Sequence, residues 1–172
     1  MSDSTARFAV VKNPTFWVVV VLLIGFVYLQ WPTHLRTPYA PDYRTVTLAD
    51  GVQMQWEGEP QVVEGEAGTA WTFKNKGLDF LVQQGDLNAS LTQLAQRQRD
   101  IDRAQVGGIE YAPLEVRGSL AQYALIDAEN RIQRHRLYQR GERWLKVSVL
   151  YKANNEEREA RAQVFLNSVV LP

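Results

Sequence analysis

The hydrophobic and polar positions of the chain form one long apolar run followed by a series of short periodic segments. The run covers residues 16–29, FWVVVVLLIGFVYL, and contains no charged side chain. From residue 44 onward, apolar side chains recur at every second position or at every third and fourth position. These are the periods of half-buried strands and of amphipathic helices. The pattern therefore predicts a membrane-spanning segment followed by a domain that folds by itself.

The apolar run is predicted to be a transmembrane helix at residues 14–31. Asn13 can cap this helix, and Pro14 fits its first turn. About 18 residues at ~1.5 Å each span about 27 Å, close to the ~30 Å hydrocarbon core of a bilayer. Aromatic side chains near both ends suit the headgroup layer. The predicted membrane-anchor residues are Trp17, Val21, Phe26, Tyr28 and Trp31.

A cleaved signal peptide is the alternative interpretation of this run. Its cleavage site would need small residues, but the chain leaves the run as VYLQWPTHLR. Arg7 and Lys12 precede the helix and Arg36 follows it, so the positive-inside rule favours a cytoplasmic N-terminus. In a bacterial inner membrane, the predicted order is a cytoplasmic tail at 1–13, the transmembrane helix at 14–31, a proline-rich linker at 32–43 and a periplasmic domain at 44–172.

The domain is predicted to begin with two hairpins. Asp50 and Gly51 are typical turn residues between two alternating segments. Residues 57–68 are predicted to form a loop, and the second hairpin turns at residues 75–77. The apolar positions of the first hairpin are Val46, Leu48, Val52, Met54 and Trp56.

A helix, four strands and a closing helix are predicted to follow. Asp86 or Asn88 can cap the first helix, and Gly107 ends it. The closing helix begins near Asn155, where three early glutamates suit the helix dipole. Short turns join the strands at 109–116, 120–128, 131–139 and 144–151, so they form an antiparallel sheet. The apolar face of the closing helix is predicted to include Ala160, Val164 and Val169 with Phe165 or Leu166.

Two helices in contact with one antiparallel sheet predict an α+β fold, specifically an α/β/α sandwich. The 19 Lys and Arg residues balance the 19 Asp and Glu residues. This balance provides no net field that would attract nucleic acid, so nucleic acid is not a predicted partner. The chain has no cysteine, which excludes disulfides and thiolate metal sites.

The search for catalytic chemistry yields little. The two histidines, His34 and His135, are far apart in sequence, and no nearby spacing suggests a third metal ligand. No serine lies in a G-x-S-x-G or S-x-x-K motif. Residues 15–31 contain no ionisable side chain for a proton relay. We therefore predict that the chain is not an enzyme and holds no cofactor or metal.

A basic hairpin at residues 131–146 is the strongest charged feature. Arg134, Arg136 and Tyr138 alternate along a strand and therefore share one face. Arginines beside aromatic rings are common at protein interfaces and bind carboxylates in a bidentate geometry. The alternative is a solvated sheet face whose arginines pair with nearby carboxylates. The predicted partner-binding residues are these three together with Tyr39 and Tyr43 of the linker.

Residues 123–169 carry a resemblance to a known family. They contain the hairpin RHRLYQRGERWLKVSVLY and a helix that closes with FLNS at residues 165–168. Together with the order of the other elements, this segment resembles the PsbP-like superfamily, which includes the photosystem II extrinsic subunit and bacterial DcrB-like envelope proteins. The resemblance implies the fold of that superfamily and a non-enzymatic role, often as an accessory or assembly factor of a membrane complex.

Two functions follow as expectations. The first is a non-catalytic accessory subunit of an inner-membrane complex, photosynthetic or respiratory, with the other subunits and the lipid bilayer as partners. The second is a free-standing, membrane-anchored envelope protein that binds a small apolar or peptide ligand. In the second case Trp56, Trp71 and Trp144 are the residues expected to line the pocket.

Overall fold

The computed structural model describes residues 39–65 and 68–172, of which Pro41–Pro172 form one compact unit. The predicted transmembrane helix at 14–31, with Trp17, Val21, Phe26, Tyr28 and Trp31, lies outside the described residues. Within the described ranges, no helix combines the length and apolar character needed to cross a bilayer.

The unit consists mainly of antiparallel strands, with two helices. The strands are β1 (Arg44–Thr47), β2 (Gln53–Trp56), β3 (Gln61–Gly65), β4 (Gly68–Asn75), β5 (Leu78–Asp86), β6 (Ile109–Arg117), β7 (Leu120–Ile126), β8 (Arg131–Arg140) and β9 (Arg143–Lys152). The helices are α1 (Leu91–Val106) and α2 (Glu156–Asn167). Strands β3 to β9 form one sheet in the order β3-β4-β5-β9-β8-β7-β6, and β1 pairs with β2 in a separate hairpin. β9 is thus central, whereas β3 and β6 are the edges.

The turn residues between β1 and β2 form the first hairpin that the sequence predicts. Asp50 and Gly51 have φ angles of 63° and 75°, the left-handed region that aspartate tolerates and glycine adopts freely. The amide of Leu48 donates to the carbonyl of Val52 at 2.7 Å and closes the turn. The predicted second hairpin is also confirmed, since β4 pairs with β5 across residues 76 and 77.

The two helices cover opposite faces of the large sheet. Because successive strand residues point to opposite sides, β8 directs Ile132 towards one core and Leu137 towards the other. On the first face, α2 buries Ala162, Phe165 and Leu166. On the second face, α1 buries Leu91 and Ala95. The predicted α+β fold is therefore present, with a helix on each face of an antiparallel sheet.

Helix α2 is fixed at both ends by hydrogen bonds. The side chain of Asn155 caps its start by accepting from the amide of Arg158 at 2.9 Å. After its end, the Oγ of Ser168 accepts from the amide of Gln55 at 2.9 Å. The chain then pairs with β2 through a bridge between Gln53 and Val170. These contacts connect α2 to the first hairpin.

Three local predictions are wrong. Residues 57–68 are not an uninterrupted loop, because β3 forms within them and pairs with β4. The cap of α1 is Ser90 rather than Asp86 or Asn88, since the Ser90 side chain accepts from the amide of Gln93 and the Gln93 side chain binds back in a capping box. The apolar face of α2 does not include Ala160 and Val164, which are exposed.

Candidate partner-binding groove

Arg134 lies on β8 and faces α2. Its Nε donates to the Tyr151 hydroxyl at 2.7 Å, and its Nη2 donates to Glu159 Oε1 of α2 at 2.6 Å. The guanidinium carbon lies 5.6 Å from the centre of the Tyr111 ring on β6, within cation–π range. Arg134 therefore connects the helix to the edge strand across the sheet.

Arg136 lies two residues further along the same face. Its Nη1 donates to the carbonyl of Leu166 at 2.9 Å and to Asn167 Oδ1 at 2.7 Å. The hydroxyl of Tyr138 donates to the same Leu166 carbonyl at 3.3 Å. A cation suits this place, because the last carbonyls of a helix carry partial negative charge and have no partner within the helix.

The structure thus brings together Arg134, Arg136 and Tyr138 on one face, as the alternation along β8 predicts. Helix α2 partly covers that face. The two arginines therefore donate hydrogen bonds to residues of this helix and also line a cavity beside it. Tyr43 is half-buried in the same unit and lines neither of the two cavities described below. Tyr39, at the start of the described residues, is also half-buried.

A groove runs between α2 and the outer strands of the sheet, because α2 packs over β9 and leaves part of β7 and β6 uncovered. We call it the α2–β6 groove. One part is a cavity of about 180 Å³, whose lining includes Ala112, Pro113, Gln122, Arg134, Arg136 and Gln163. The other part is a cavity of about 510 Å³, whose lining includes Tyr111, Ile126, Ile132, Asn155 and Glu159. Arg134 bonds to Glu159 and contacts Tyr111, so it lies where the two parts meet.

The outer wall of the groove is the edge strand β6. Two of its large apolar side chains remain exposed on this side, Ile109 at 66% and Tyr111 at 49%, whereas Val116 pairs with Ala121 on the α1 side of the sheet. Two register irregularities interrupt its pairing with β7, and Pro113 lies within the second, between Ala112 and Glu115. An irregular edge with a proline resists pairing with a second sheet. Its exposed apolar groups nonetheless give the groove a surface suited to another protein.

A second polar cluster is buried on the opposite face, between α1 and the sheet. The Nζ of Lys146 on β9 donates to both carboxylate oxygens of Asp102 on α1, at 2.8 and 2.6 Å. The hydroxyl of Tyr123 on β7 donates to the same carboxylate at 2.5 Å. Burial lowers the pKa of Lys146 and raises that of Tyr123. The cluster is a buried ion pair with an additional hydrogen bond.

His135 completes this cluster. Its Nδ1 is 2.8 Å from the Oγ of Ser148, its Nε2 is 3.6 Å from Asp102 Oδ2, and its ring stacks on Tyr123 at 4.6 Å between centroids. Burial, followed by the charge of Lys146, lowers the pKa of His135 to about 3. The histidine is therefore neutral at physiological pH.

Serine, histidine and aspartate are thus adjacent, as in a hydrolase, but the arrangement is closed. Ser148, His135 and Asp102 are only 6%, 5% and 8% exposed, and an activated serine must reach a substrate carbonyl. This cluster is not among the sequence predictions. A signal was present, because Asp102 lies 7 and 11 positions after the buried Ala95 and Leu91 on a helical stripe, and Lys146 belongs to a strand with apolar residues on both faces.

The neutral state of His135 predicts a pH dependence of stability. In the folded chain the pKa of His135 is about 3, below the ordinary 6.5. Between pH 3 and pH 6.5 this histidine therefore binds a proton in the unfolded chain but not in the folded chain. Stability should therefore fall as the pH drops from 6.5 towards 3, by at most about 1.4 kcal/mol per unit from this group. Urea unfolding followed by tryptophan fluorescence at a series of pH values measures the slope.

The control for this prediction is His135→Gln, which removes the titrating group. Asp102, Lys146 and Tyr123 face the ring, so the comparison concerns the slope between pH 6.5 and 5 and not absolute stability. The slope should be smaller in the variant. An equal slope in both proteins would show that His135 does not titrate between the folded and unfolded states in this range.

Comparisons with solved structures identify the fold. The chain is similar to the solution structure of cyanobacterial PsbP (CyanoP) from Synechocystis sp. PCC 6803, with a TM-score of 0.55 and 9% identity over 78% of this chain and 95% of that one. It is also similar to the Ran-binding protein Mog1p of Saccharomyces cerevisiae, with a TM-score of 0.52 and 8% identity over 77% of this chain and 96% of that one. No protein-family model and no curated protein sequence matches the chain. The PsbP-like fold is therefore confirmed, whereas the likeness to DcrB stays a prediction.

Proposed function

We propose that the chain is a non-catalytic accessory subunit of a larger membrane complex, anchored by the helix predicted at 14–31 and docked through the α2–β6 groove. The observation that carries the proposal is the composition of this groove. Two arginines on one strand face lie beside exposed apolar residues of an edge strand. Arginine and aromatic residues are enriched where proteins bind each other.

The buried cluster supports the absence of catalysis. Ser148, His135 and Asp102 are the described residues that come nearest to a hydrolytic arrangement, and the fold encloses them between α1 and the sheet. Buried Lys146 binds Asp102 with two hydrogen bonds. This set of contacts suits a structural polar network, which needs no access to substrate.

The similar structures are consistent with a binding role. Mog1p is named as a Ran-binding protein, so this fold serves in at least one protein that binds another protein. The likeness to CyanoP, together with the resemblance carried by residues 123–169, leads us to propose an energy-transducing complex, photosynthetic or respiratory. At such low identity a shared fold does not fix a shared function, so the proposal needs a direct test.

Native sizing provides that test. Membranes containing the tagged full-length chain are solubilised in mild detergent and separated by native electrophoresis. The proposal predicts migration in an assembly well above the 19.6 kDa of the chain, together with identifiable membrane proteins. Migration as a free protein under every growth condition tested would contradict it.

The second candidate function is a free-standing envelope protein that binds a small apolar or peptide ligand. It is favoured by the cavity of about 510 Å³ beside Tyr111, which is within the size range of ligand pockets. The tryptophans expected to line such a pocket do not favour it, because Trp56, Trp71 and Trp144 are not among the residues that line this cavity, and the first two are 0% and 6% exposed in the core. A ligand that co-purifies with the monomeric chain would support this candidate over the first.

A further inference from the structure

We infer that the α2–β6 groove binds an acidic segment of the partner protein, with one glutamate or aspartate carboxylate bound by Arg136. This inference rests on the proposed docking function and specifies the chemistry of the partner. It follows from the unequal use of the two groove arginines, from the charges around them and from the size of the cavity that they line.

The guanidinium of Arg136 makes its hydrogen bonds to α2 through Nη1 alone. Its Nη1 donates to Leu166 and Asn167 of α2. Among the described residues, no hydrogen bond from its Nε or Nη2 and no ion pair with a carboxylate is present. The bonds to α2 hold the planar group in place, and its remaining donors suit a carboxylate.

The neighbouring charges already have partners. Arg134 pairs with Glu159 at 2.6 Å. Glu115, which also lines the cavity, accepts from Arg117 at 3.1 Å and from the Gln122 side chain at 3.3 Å. Among the residues that the structure describes, no carboxylate therefore compensates the positive charge of Arg136 in the cavity. An anion bound there would gain more than in water, because the half-buried site has a lower effective dielectric constant.

The cavity is small for a whole ligand and suitable for one acidic side chain. Its volume is about 180 Å³, below the ~300 Å³ at which pockets for drug-sized ligands begin. Ala112, Pro113 and Leu166 line it beside Arg136, so the methylene groups of a glutamate would meet apolar surface. The rest of the partner segment can continue over the exposed Tyr111. We therefore assign the site to a partner segment and not to a free metabolite.

Arginine side-chain NMR on the full-length chain tests this inference without requiring the native complex. The chain is labelled with ¹⁵N-arginine and titrated with a capped peptide of alternating alanine and glutamate. The same peptide with glutamine and free glutarate are the comparison probes. The Nε–H signal of Arg136 should shift with the glutamate peptide, which should bind about tenfold or more tightly than either comparison probe.

Variants locate the effect. Arg136→Gln should weaken peptide binding about tenfold or more, as followed by the NMR signal of Arg134. Arg136→Lys should have an intermediate affinity, because lysine keeps the positive charge but lacks the planar guanidinium that binds a carboxylate with two hydrogen bonds. Arg44→Gln is the matched control, because Arg44 is exposed, pairs with Asp42 and lines neither cavity, and it should bind as the parent does. Equal affinity for glutarate, equal affinity for the glutamine peptide, or no shift at Arg136 would each overturn the inference. Since native assembly is not measured, failure here is distinct from failure of the docking function.

Discussion

Replacing Arg161 by methionine should lower the free energy of unfolding by about 3–5 kcal/mol, because it leaves a buried carboxylate without its cation. Arg161 of α2 and Glu57, which follows β2, have side chains only 5% and 1% exposed. The Nε of Arg161 donates to Glu57 Oε1 at 2.7 Å, and Asn75 Nδ2 donates to Glu57 Oε2 at 3.0 Å. This network joins α2, the first hairpin and the β4–β5 turn.

Two further variants separate the ion pair from its surroundings. The double variant Arg161→Met with Glu57→Met removes both charges and should recover most of the loss, because a buried pair can often be replaced by apolar groups of similar volume at little cost. Arg117→Met is the exposed control and should change stability by less than about 1 kcal/mol. Urea unfolding monitored by tryptophan fluorescence gives all three values. A loss below about 1 kcal/mol for Arg161→Met would contradict the assigned role of the pair.

The second large effect is expected at the opposite face. Asp102→Ala should cost about 3–5 kcal/mol, because it leaves the Lys146 ammonium buried and removes the acceptor of Tyr123. Lys146→Met should cost less. In that variant Asp102 keeps the hydrogen bond from Tyr123 and lies 3.6 Å from His135 Nε2, so the histidine can take up a proton and supply the missing positive charge.

The role given to His135 in the Lys146→Met variant can be followed through the pKa of its ring. The charge of Lys146 is one cause of the low pKa of His135, and the Asp102 carboxylate acts in the opposite direction. The pKa of His135 should therefore rise in Lys146→Met, as measured by NMR titration of its ring protons. Chemical denaturation of the same samples measures the two stability losses. An unchanged histidine pKa in Lys146→Met would show that the cluster is not electrostatically coupled as described.

The parts of the fold that depend on local periodicity could be predicted from the sequence. Alternation and turn residues indicated the β1–β2 hairpin and the four strands after α1, and Gly107 ended α1 as expected. Strand β3 was missed because QVVEG is short and lies among glycines and glutamates that indicate a loop. Its strand character comes from pairing with β4, a contact that local pattern does not contain.

The buried face of α2 was misplaced for an electrostatic reason. An arginine is ordinarily assigned to the solvated side of a helix, and with Arg161 on that side Ala160 and Val164 are expected on the buried face. The partner that permits burial of Arg161 is Glu57, 104 positions earlier in the chain. Only the tertiary fold brings these two residues together. The helix consequently buries the face that carries Arg161, Ala162 and Phe165.

The candidate site was predicted in part. Alternation along β8 correctly placed Arg134, Arg136 and Tyr138 on one face. It did not indicate that α2 would cover part of that face, nor that Glu159 would bind Arg134 and leave Arg136 without a carboxylate partner within residues 39–65 and 68–172. Such differences between neighbouring arginines depend on the packing of a helix that follows them in sequence.

Site-specific photo-crosslinking in cells is the most direct measurement of docking through the α2–β6 groove. A photoreactive amino acid replaces Tyr111 on β6 or, as the matched control, Val62 on the opposite edge strand β3; both positions are exposed, at 49% and 58%. Position 111 should form a discrete crosslink to a membrane protein, weakened by Arg136→Glu and unaffected by Arg44→Glu, since exposed Arg44 lines neither cavity, while position 62 should not. No crosslink from position 111, or the same crosslinks from both edges, would contradict the account.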